Sequence, residues 1–259
     1  MVKYLTSRSS ASTTGERSLD WKESVKKDGF AHFRNLIPEP LVACARKVID
    51  RDLRDNYDAS RQEEYDTRSY CPDIRHVPPI MDLIKKSPIR EIIDEALGWD
   101  VLSCGGGQIA IRRAHNASGP APPGPPHLDG FAFGSNGLRP GTIFNFAATV
   151  GVFLTETSRP FSGNLTVWPG SHHVYERYFR ERGLRALHEG MPMPPGLGQP
   201  IQLMCGVGDV ILLHYHLGHV VSVNTADTDR YAVYFRLQWR EFEAHKWYYL
   251  THMWARWRI

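Results

Sequence analysis

At Trp99 the hydrophobic pattern of the chain changes period, and that change limits the folds open to it. Before it, apolar residues recur at steps of three and four. Leu41, Val42, Ala45, Val48, Ile49 and Leu53 form one helical face behind Pro38 and Pro40. Ile89, Ile92, Ile93, Ala96 and Leu97 form another, which follows Pro88 and stops at Gly98. After Trp99 come short apolar or alternating runs broken by Gly, Pro and Asn, at residues 107–113, 142–154, 164–168, 210–213 and 231–239. These are strand signals. One helical insertion is expected over 173–189, and the Pro/Gly-rich stretch 190–200 reads as a loop. Helices first and strands after, without regular βαβ alternation, predict an α+β chain in which helices cover a sandwich or barrel. No repeat at solenoid period and no linker stands out. The expected organisation is a disordered tail over residues 1–18 and a single domain over 19–259, helical to about 98 and strand-built over about 99–240.

Composition removes several classes of partner. With 42% hydrophobic and 23% charged residues in 259, the chain can bury a sizeable core and is neither fibrous nor disordered. A net charge of +3 without a basic cluster makes nucleic acid a poor partner, and no apolar run approaches the ~20 residues of a membrane span. Cys44, Cys71, Cys104 and Cys205 stand far apart with no CxxC pair, so they read as reduced thiols of a cytoplasmic protein. The Ser/Thr-rich, Arg-containing segment from Ser7 to Ser18 has a weak likeness to a transit peptide, but a mobile tail is favoured. The aromatic C-terminal segment, with Trp247, Trp254 and Trp257, is expected to dock on its own domain or on a second copy in a homodimer, not on a membrane.

Chemistry concentrates in the histidines. His127 and Asp129 flank Leu128, and on an extended strand residues i and i+2 share a face, which sets an imidazole beside a carboxylate. That is two-thirds of the two-His, one-carboxylate set that binds non-haem Fe(II) and leaves positions open. Alone, such a triplet is more often a surface turn. A second group changes the balance: after the Gly208-Asp209 turn an apolar run delivers His214, His216 and His219, any of which could be the third ligand, and Arg230 follows. A planar guanidinium forks onto a carboxylate, which suits a dicarboxylate cosubstrate held beside iron. No thiolate joins the group, which argues against copper(I) or structural zinc, and no general-base motif supports a zinc or manganese hydrolase.

HLDG at His127 to Gly130, SGNLTVWPGSHH at Ser162 to His173, and GDVILLHYHLGHVVSVN from Gly208 leading to Arg230 together resemble the phytanoyl-CoA dioxygenase family of Fe(II)/2-oxoglutarate oxygenases. DGFAHF at Asp28 to Phe33 is similar to that family's opening strand. The resemblance implies a double-stranded β-helix, a cupin-like jelly roll, with N-terminal helices packed on one sheet. It implies His127, Asp129 and His219 as catalytic iron ligands, Arg230 as the anchor for 2-oxoglutarate, and O2 as oxidant. It selects His219 over His214 and His216, for which structural roles are expected. Family members often carry Ser or Thr two residues after the last His; this chain has Val221, with Thr149 as a substitute contact. The implied activity is hydroxylation of a small or medium molecule, with desaturation, cyclisation, epimerisation or a catalytically silent binding module as alternatives.

Alternation then assigns faces. Tyr231, Val233, Phe235, Leu237 and Trp239 should pack beneath the helices, which leaves Arg230, Ala232, Tyr234, Arg236 and Gln238 toward the metal. Likewise Ile109 and Ile111 should face the helices, and Gln108, Ala110 and Arg112 the lumen. Gln108, Arg112 and Arg236 are therefore candidates for contact with a small-molecule substrate bearing an anionic or carbonyl-rich end. The Pro-rich loop 114–126 is a candidate lid, and Phe131, Phe133 and Trp168 candidate apolar contacts.

Overall fold

A computed structural model describes residues 16–132 and 138–259. Residues 1–15 of the expected tail, and Phe133, lie outside them. The helix α1 (Glu16–Asp28) begins inside the stretch expected to be a tail. It leads through Gly29, held at φ +85, into β1 (Phe30–Phe33). The two expected helices are α2 (Glu39–Asn56) and α5 (Ile89–Leu97). Between them lie α3 (Gln62–Thr67) and α4 (Pro78–Lys85), of 6 and 8 residues, each too short to leave a clear periodic trace. Pro78 and Pro79 open α4, where a missing N–H costs nothing, and Ile80, Met81, Leu83 and Ile84 bury its inner side.

The strands form two antiparallel sheets. The larger has the order β1-β6-β3-β8-β2, with β2 at Val101–Arg112, β3 at Ala148–Phe153, β6 at Val210–His214 and β8 at Arg230–Trp239. The smaller has the order β5-β4-β7, with β4 at Leu165–Val167, β5 at Ile201–Gln202 and β7 at His219–Val221. β2 begins six residues before the expected strand and shifts register between Cys104 and Gln108, where Gly105 and Gly106 take φ of +80 and +73. That irregularity hides its first half from an alternation pattern. The helix α6 (Ser171–Arg182) enters at Ser171, and α7 (Phe242–Thr251) closes the chain.

Two cores follow from the period-two faces. Val150, Val152, Val210, Leu212, Val233, Phe235, Leu237 and Trp239 pack against α2, α4 and α5 residues such as Ala45, Ile49, Leu83 and Ile93. Each such side chain contributes about 1.5–3 kcal/mol when fully buried. Phe153, Ile211, Leu213 and Ala232 point the other way and meet Leu165 and Val167 of the small sheet. The sheets therefore face one another, with a lumen between them. Trp257 and Met253 are buried, so the C-terminal segment docks on its own chain.

Candidate metal centre

Residues 127–129 do not run as the extended strand that the HxD spacing suggests. His127 makes a single antiparallel bridge with His219: its N–H donates to the His219 carbonyl at 3.0 Å, and the His219 N–H donates back at 3.2 Å. That exchange sets the two imidazole rings 4.5 Å apart between centroids. A turn at Asp129-Gly130 then folds the carboxylate in beside them. Gly130 holds φ +82, and a Cβ there would lie 1.9 Å from the Phe144 carbonyl oxygen, so no other residue fits. The Tyr215 hydroxyl donates to the Asp129 carbonyl at 2.9 Å and fixes the turn from the β6 side.

The three side chains converge, with one ligand atom from each within 4.8 Å of the others. Asp129 Oδ1 is 3.7 Å from Nε2 of both His127 and His219. The His219 Nδ1–H donates to the Leu217 carbonyl at 2.9 Å, which leaves Nε2 with a lone pair toward Asp129. All three are part-exposed, so an ion and small ligands can reach them. Burial, then the neighbouring His219, pushes His127 down to about 4, which keeps it neutral and able to donate its lone pair. Burial acts to raise the Asp129 carboxyl, but Arg236 and the two imidazoles hold it well below the ordinary carboxylate range. His219 goes the other way: Asp129 raises it against the effect of burial.

Arg236 is not free for a substrate. Its Nε donates to Asp129 Oδ2 at 3.0 Å and its Nη2 pairs with the same oxygen at 2.7 Å, which leaves Oδ1 turned to the histidines. Gln108 is also engaged, donating to the Arg68 carbonyl at the end of α3. Arg112 stands 3.7 Å from Asp66 and lines a cavity of about 280 Å³ with Gln62, Asp66, Arg113, Asn116 and Val221. Thr149 faces the lumen beside Arg236 and Leu213 in the ladder. Trp168 and Phe131 are buried, Phe131 stacking on Phe179.

Arg230 is 1% exposed. Its Nε donates to the Gly163 carbonyl at 2.9 Å and Nη1 to the Ala110 carbonyl at 3.1 Å, whereas Nη2 is buried and, among the described residues, reaches no acceptor at full hydrogen-bond geometry. Gly163 takes φ +72 there, which strains any L side chain, and a Cβ would also lie tight against Arg112 Cβ at 3.0 Å and Arg230 Cβ at 3.2 Å. The strand-start position of Arg230 was legible; the two carbonyls that orient it were not, because backbone acceptors leave no residue-type signal.

A second trio, His32, Cys205 and Asp209, also lies within 4.8 Å. Its carboxylate is already consumed. Asp209 Oδ1 accepts from the Asn35 N–H at 2.7 Å, and Oδ2 accepts from the Gly206 N–H at 2.8 Å and pairs with His32 Nε2 at 2.7 Å. Those bonds clamp the Gly208-Asp209 turn to the end of β1. His214 and His216 are buried and join no metal-ligating group among the described residues.

No protein-family model matches the sequence, and no curated protein sequence matches it. Solved structures do match. HygX from Streptomyces hygroscopicus, with nickel, 2-oxoglutarate and hygromycin B bound, is 15% identical at TM-score 0.57, covering 85% of this chain and 86% of that one. SnoK, a non-haem α-ketoglutarate-dependent carbocyclase from nogalamycin biosynthesis, is 18% identical at TM-score 0.55, covering 92% and 94%. SnoN, the epimerase of the same pathway, is 15% identical at TM-score 0.51, covering 86% and 83%. At these identities the likeness establishes a shared mixed helix and antiparallel-sheet fold.

Proposed function

We propose that this chain is a non-haem Fe(II)/2-oxoglutarate-dependent oxygenase on a jelly-roll frame, with the site pattern of the phytanoyl-CoA dioxygenase family. The observation that carries the reading is the juxtaposition of two imidazoles and a carboxylate, with ligand atoms within 4.8 Å, and a buried arginine whose Nη2 meets no acceptor at full hydrogen-bond geometry among the described residues. The donor set fits: two neutral nitrogens and one carboxylate oxygen, without sulfur, suit ferrous iron. His127, Asp129 and His219 would hold it. When bound, iron and 2-oxoglutarate supply oxygen activation, with succinate and carbon dioxide as by-products.

The chain's own residues do the rest. Arg236 occupies Oδ2 of Asp129, so the carboxylate offers one oxygen and the other metal positions stay open. Arg230, with two of its nitrogens fixed on carbonyls, presents the third to the distal carboxylate of 2-oxoglutarate. Thr149 lines the same lumen. Arg112, with Asp66 and Gln62, forms a polar mouth suited to a small or medium substrate rich in hydroxyl, carbonyl or carboxylate groups, such as a natural-product intermediate. Hydroxylation is the outcome we assign. Ring closure and epimerisation, the reactions named for the carbocyclase and epimerase of similar fold, are the alternative outcomes.

The test is succinate formation by protein loaded anaerobically with Fe(II), then given 2-oxoglutarate and oxygen. Iron-dependent succinate, stimulated by members of a natural-product library and absent from His219→Ala, is the expected result. Iron-loaded protein that neither binds nor consumes 2-oxoglutarate overturns the proposal.

A further inference from the structure

Next to Arg230 is a second buried donor that no other residue uses. The Tyr234 hydroxyl is buried beside the guanidinium, near enough for its oxygen to interact with it, but among the described residues neither that hydroxyl nor Arg230 Nη2 meets a partner at full hydrogen-bond geometry. Even with the phenol oxygen turned to the guanidinium, the hydroxyl hydrogen is left without an acceptor, and such a buried donor is costly unless a ligand satisfies it. The ring itself has a prepared place. Tyr234 pairs with Gly151 across the β3–β8 ladder, and a Cβ on Gly151 would fall 2.7 Å from its Cε1. A glycine in the middle of a buried strand weakens it unless something must approach closely. Here the phenol ring takes that space.

The surroundings define the ligand. Leu213, Leu165, Val167 and Phe153 make this part of the lumen apolar, and Val221, which shares a β7 face with His219, adds no donor. The paired groups are a fixed cation and a neutral phenol, since burial raises the Tyr234 hydroxyl above its ordinary value. One cationic and one neutral donor side by side match the two oxygens of a single carboxylate.

We infer that Tyr234 is a binding residue for the cosubstrate, its hydroxyl and Arg230 Nη2 each donating to one oxygen of the distal carboxylate of 2-oxoglutarate. The inference rests on the oxygenase reading above and assigns this chain's selectivity for a dicarboxylate to a tyrosine–arginine pair. Tyr234 acts on binding, not on the chemistry at the metal.

The experiment is calorimetric titration of Ni(II)-loaded protein with 2-oxoglutarate and with 2-oxopentanoate, which keeps the 2-oxo acid but lacks the distal carboxylate. Tyr234→Phe retains the ring that fills the space over Gly151. The variant should bind 2-oxoglutarate about 10-fold or more weakly, the usual scale for a lost hydrogen bond to a charged group, and 2-oxopentanoate with unchanged affinity. Equal weakening for both ligands, or none for 2-oxoglutarate, overturns the inference. If wild-type protein binds 2-oxoglutarate but Tyr234→Phe does so equally well, the oxygenase reading survives and the pair assignment fails. If wild-type protein binds neither ligand, both fail.

Discussion

Two histidine-rich regions lie in this molecule, and they differ in nearly everything except residue type. His127 and His219 are part-exposed, share a carboxylate, and keep ring nitrogens turned toward a common point. His172, His214 and His216 are buried and share no acid among the described residues; His172 and His214 lie against Trp254, and His216 stacks on His214. In the second region the nitrogens are either used up locally or left without partners. His214 Nδ1 accepts from the His216 N–H, its Nε2 bonds to the Met253 carbonyl, and the His216 ring has only the Leu250 backbone nearby, short of full hydrogen-bond geometry. Burial, then the neighbouring imidazoles, holds His214 and His216 neutral, so the cluster packs as aromatic rings. A histidine becomes a candidate ligand when a carboxylate, an open approach and a fixed free nitrogen coincide; the count of histidines decides nothing.

The most direct way to break that contrast is to truncate one histidine from each region. His219→Ala should remove stoichiometric Fe(II) binding, whereas His216→Ala should still bind one Fe(II) per chain while losing about 2–4 kcal/mol of stability from the cavity it leaves. Metal titration and urea unfolding on both variants read the two effects separately. Metal binding that survives in His219→Ala and vanishes in His216→Ala would reverse the assignment.

Each region is also shaped by a glycine with positive φ, and the two should differ in what they tolerate. A Cβ at Gly130 meets the Phe144 backbone oxygen at 1.9 Å, which only a backbone shift can relieve. A Cβ at Gly29 meets His172 Nδ1 at 2.8 Å and Leu217 Cδ1 at 2.9 Å, both on side chains that can turn. Gly130→Ala should cost roughly 3 kcal/mol or more and displace Asp129, with metal affinity falling in step. Gly29→Ala should cost about 1–2 kcal/mol and leave metal binding intact. Equal losses of stability would show that the turn at Asp129 yields more than its geometry implies.

Arg236 sharpens the contrast from the polar side, because only the first region contains a fixed cation on its acid. Arg236→Met removes both donors from Asp129 Oδ2 and should lower metal affinity about 10–100-fold, with partial recovery in Arg236→Lys. Competition against a coloured chelator measures it. Unchanged affinity together with a lost response to substrate would return Arg236 to the substrate-contact role that alternation suggested.

How far the sequence reached follows the same division. The faces of β8 and β2 were legible because alternation of Tyr231, Val233, Phe235, Leu237 and Trp239 leaves a period-two trace. Ordered motifs singled out His127, Asp129, His219 and Arg230, which the fold brings to one lumen. The partners of Gln108, Arg230 and Arg236 were not legible. Two of the three bond to backbone carbonyls, which any residue could supply, and the third reaches a carboxylate 107 positions earlier in the chain. The short α3 and β5 were missed because two turns of helix or two residues of strand carry too little periodicity to detect.

The smallest expected effect is in the acid sensitivity of the metal-free protein, where His219 should pull against the buried histidines of the second region. His172 and His216 are pushed by burial to about 4 and about 3, against 6.5 when unperturbed. The unfolded chain therefore binds their protons first as pH falls below 6.5, and each imidazole withdraws about 1 kcal/mol of stability between pH 7.5 and 5.5. His127, also lowered, adds to that loss. His219 has the reverse sign: its value is raised by Asp129, so its contribution is fully present below 6.5 and is lost as pH rises through the raised value. Asp129 itself stays out of this window, because its depressed carboxyl stabilises at every pH above the ordinary 3.8. Urea midpoints at pH 7.5 and 5.5 should thus fall less on acidification in His216→Phe than in the wild type, and more in His219→Ala. If His216→Phe loses as much as the wild type, the buried imidazoles are not what makes the fold acid-sensitive, and the two regions differ in geometry alone.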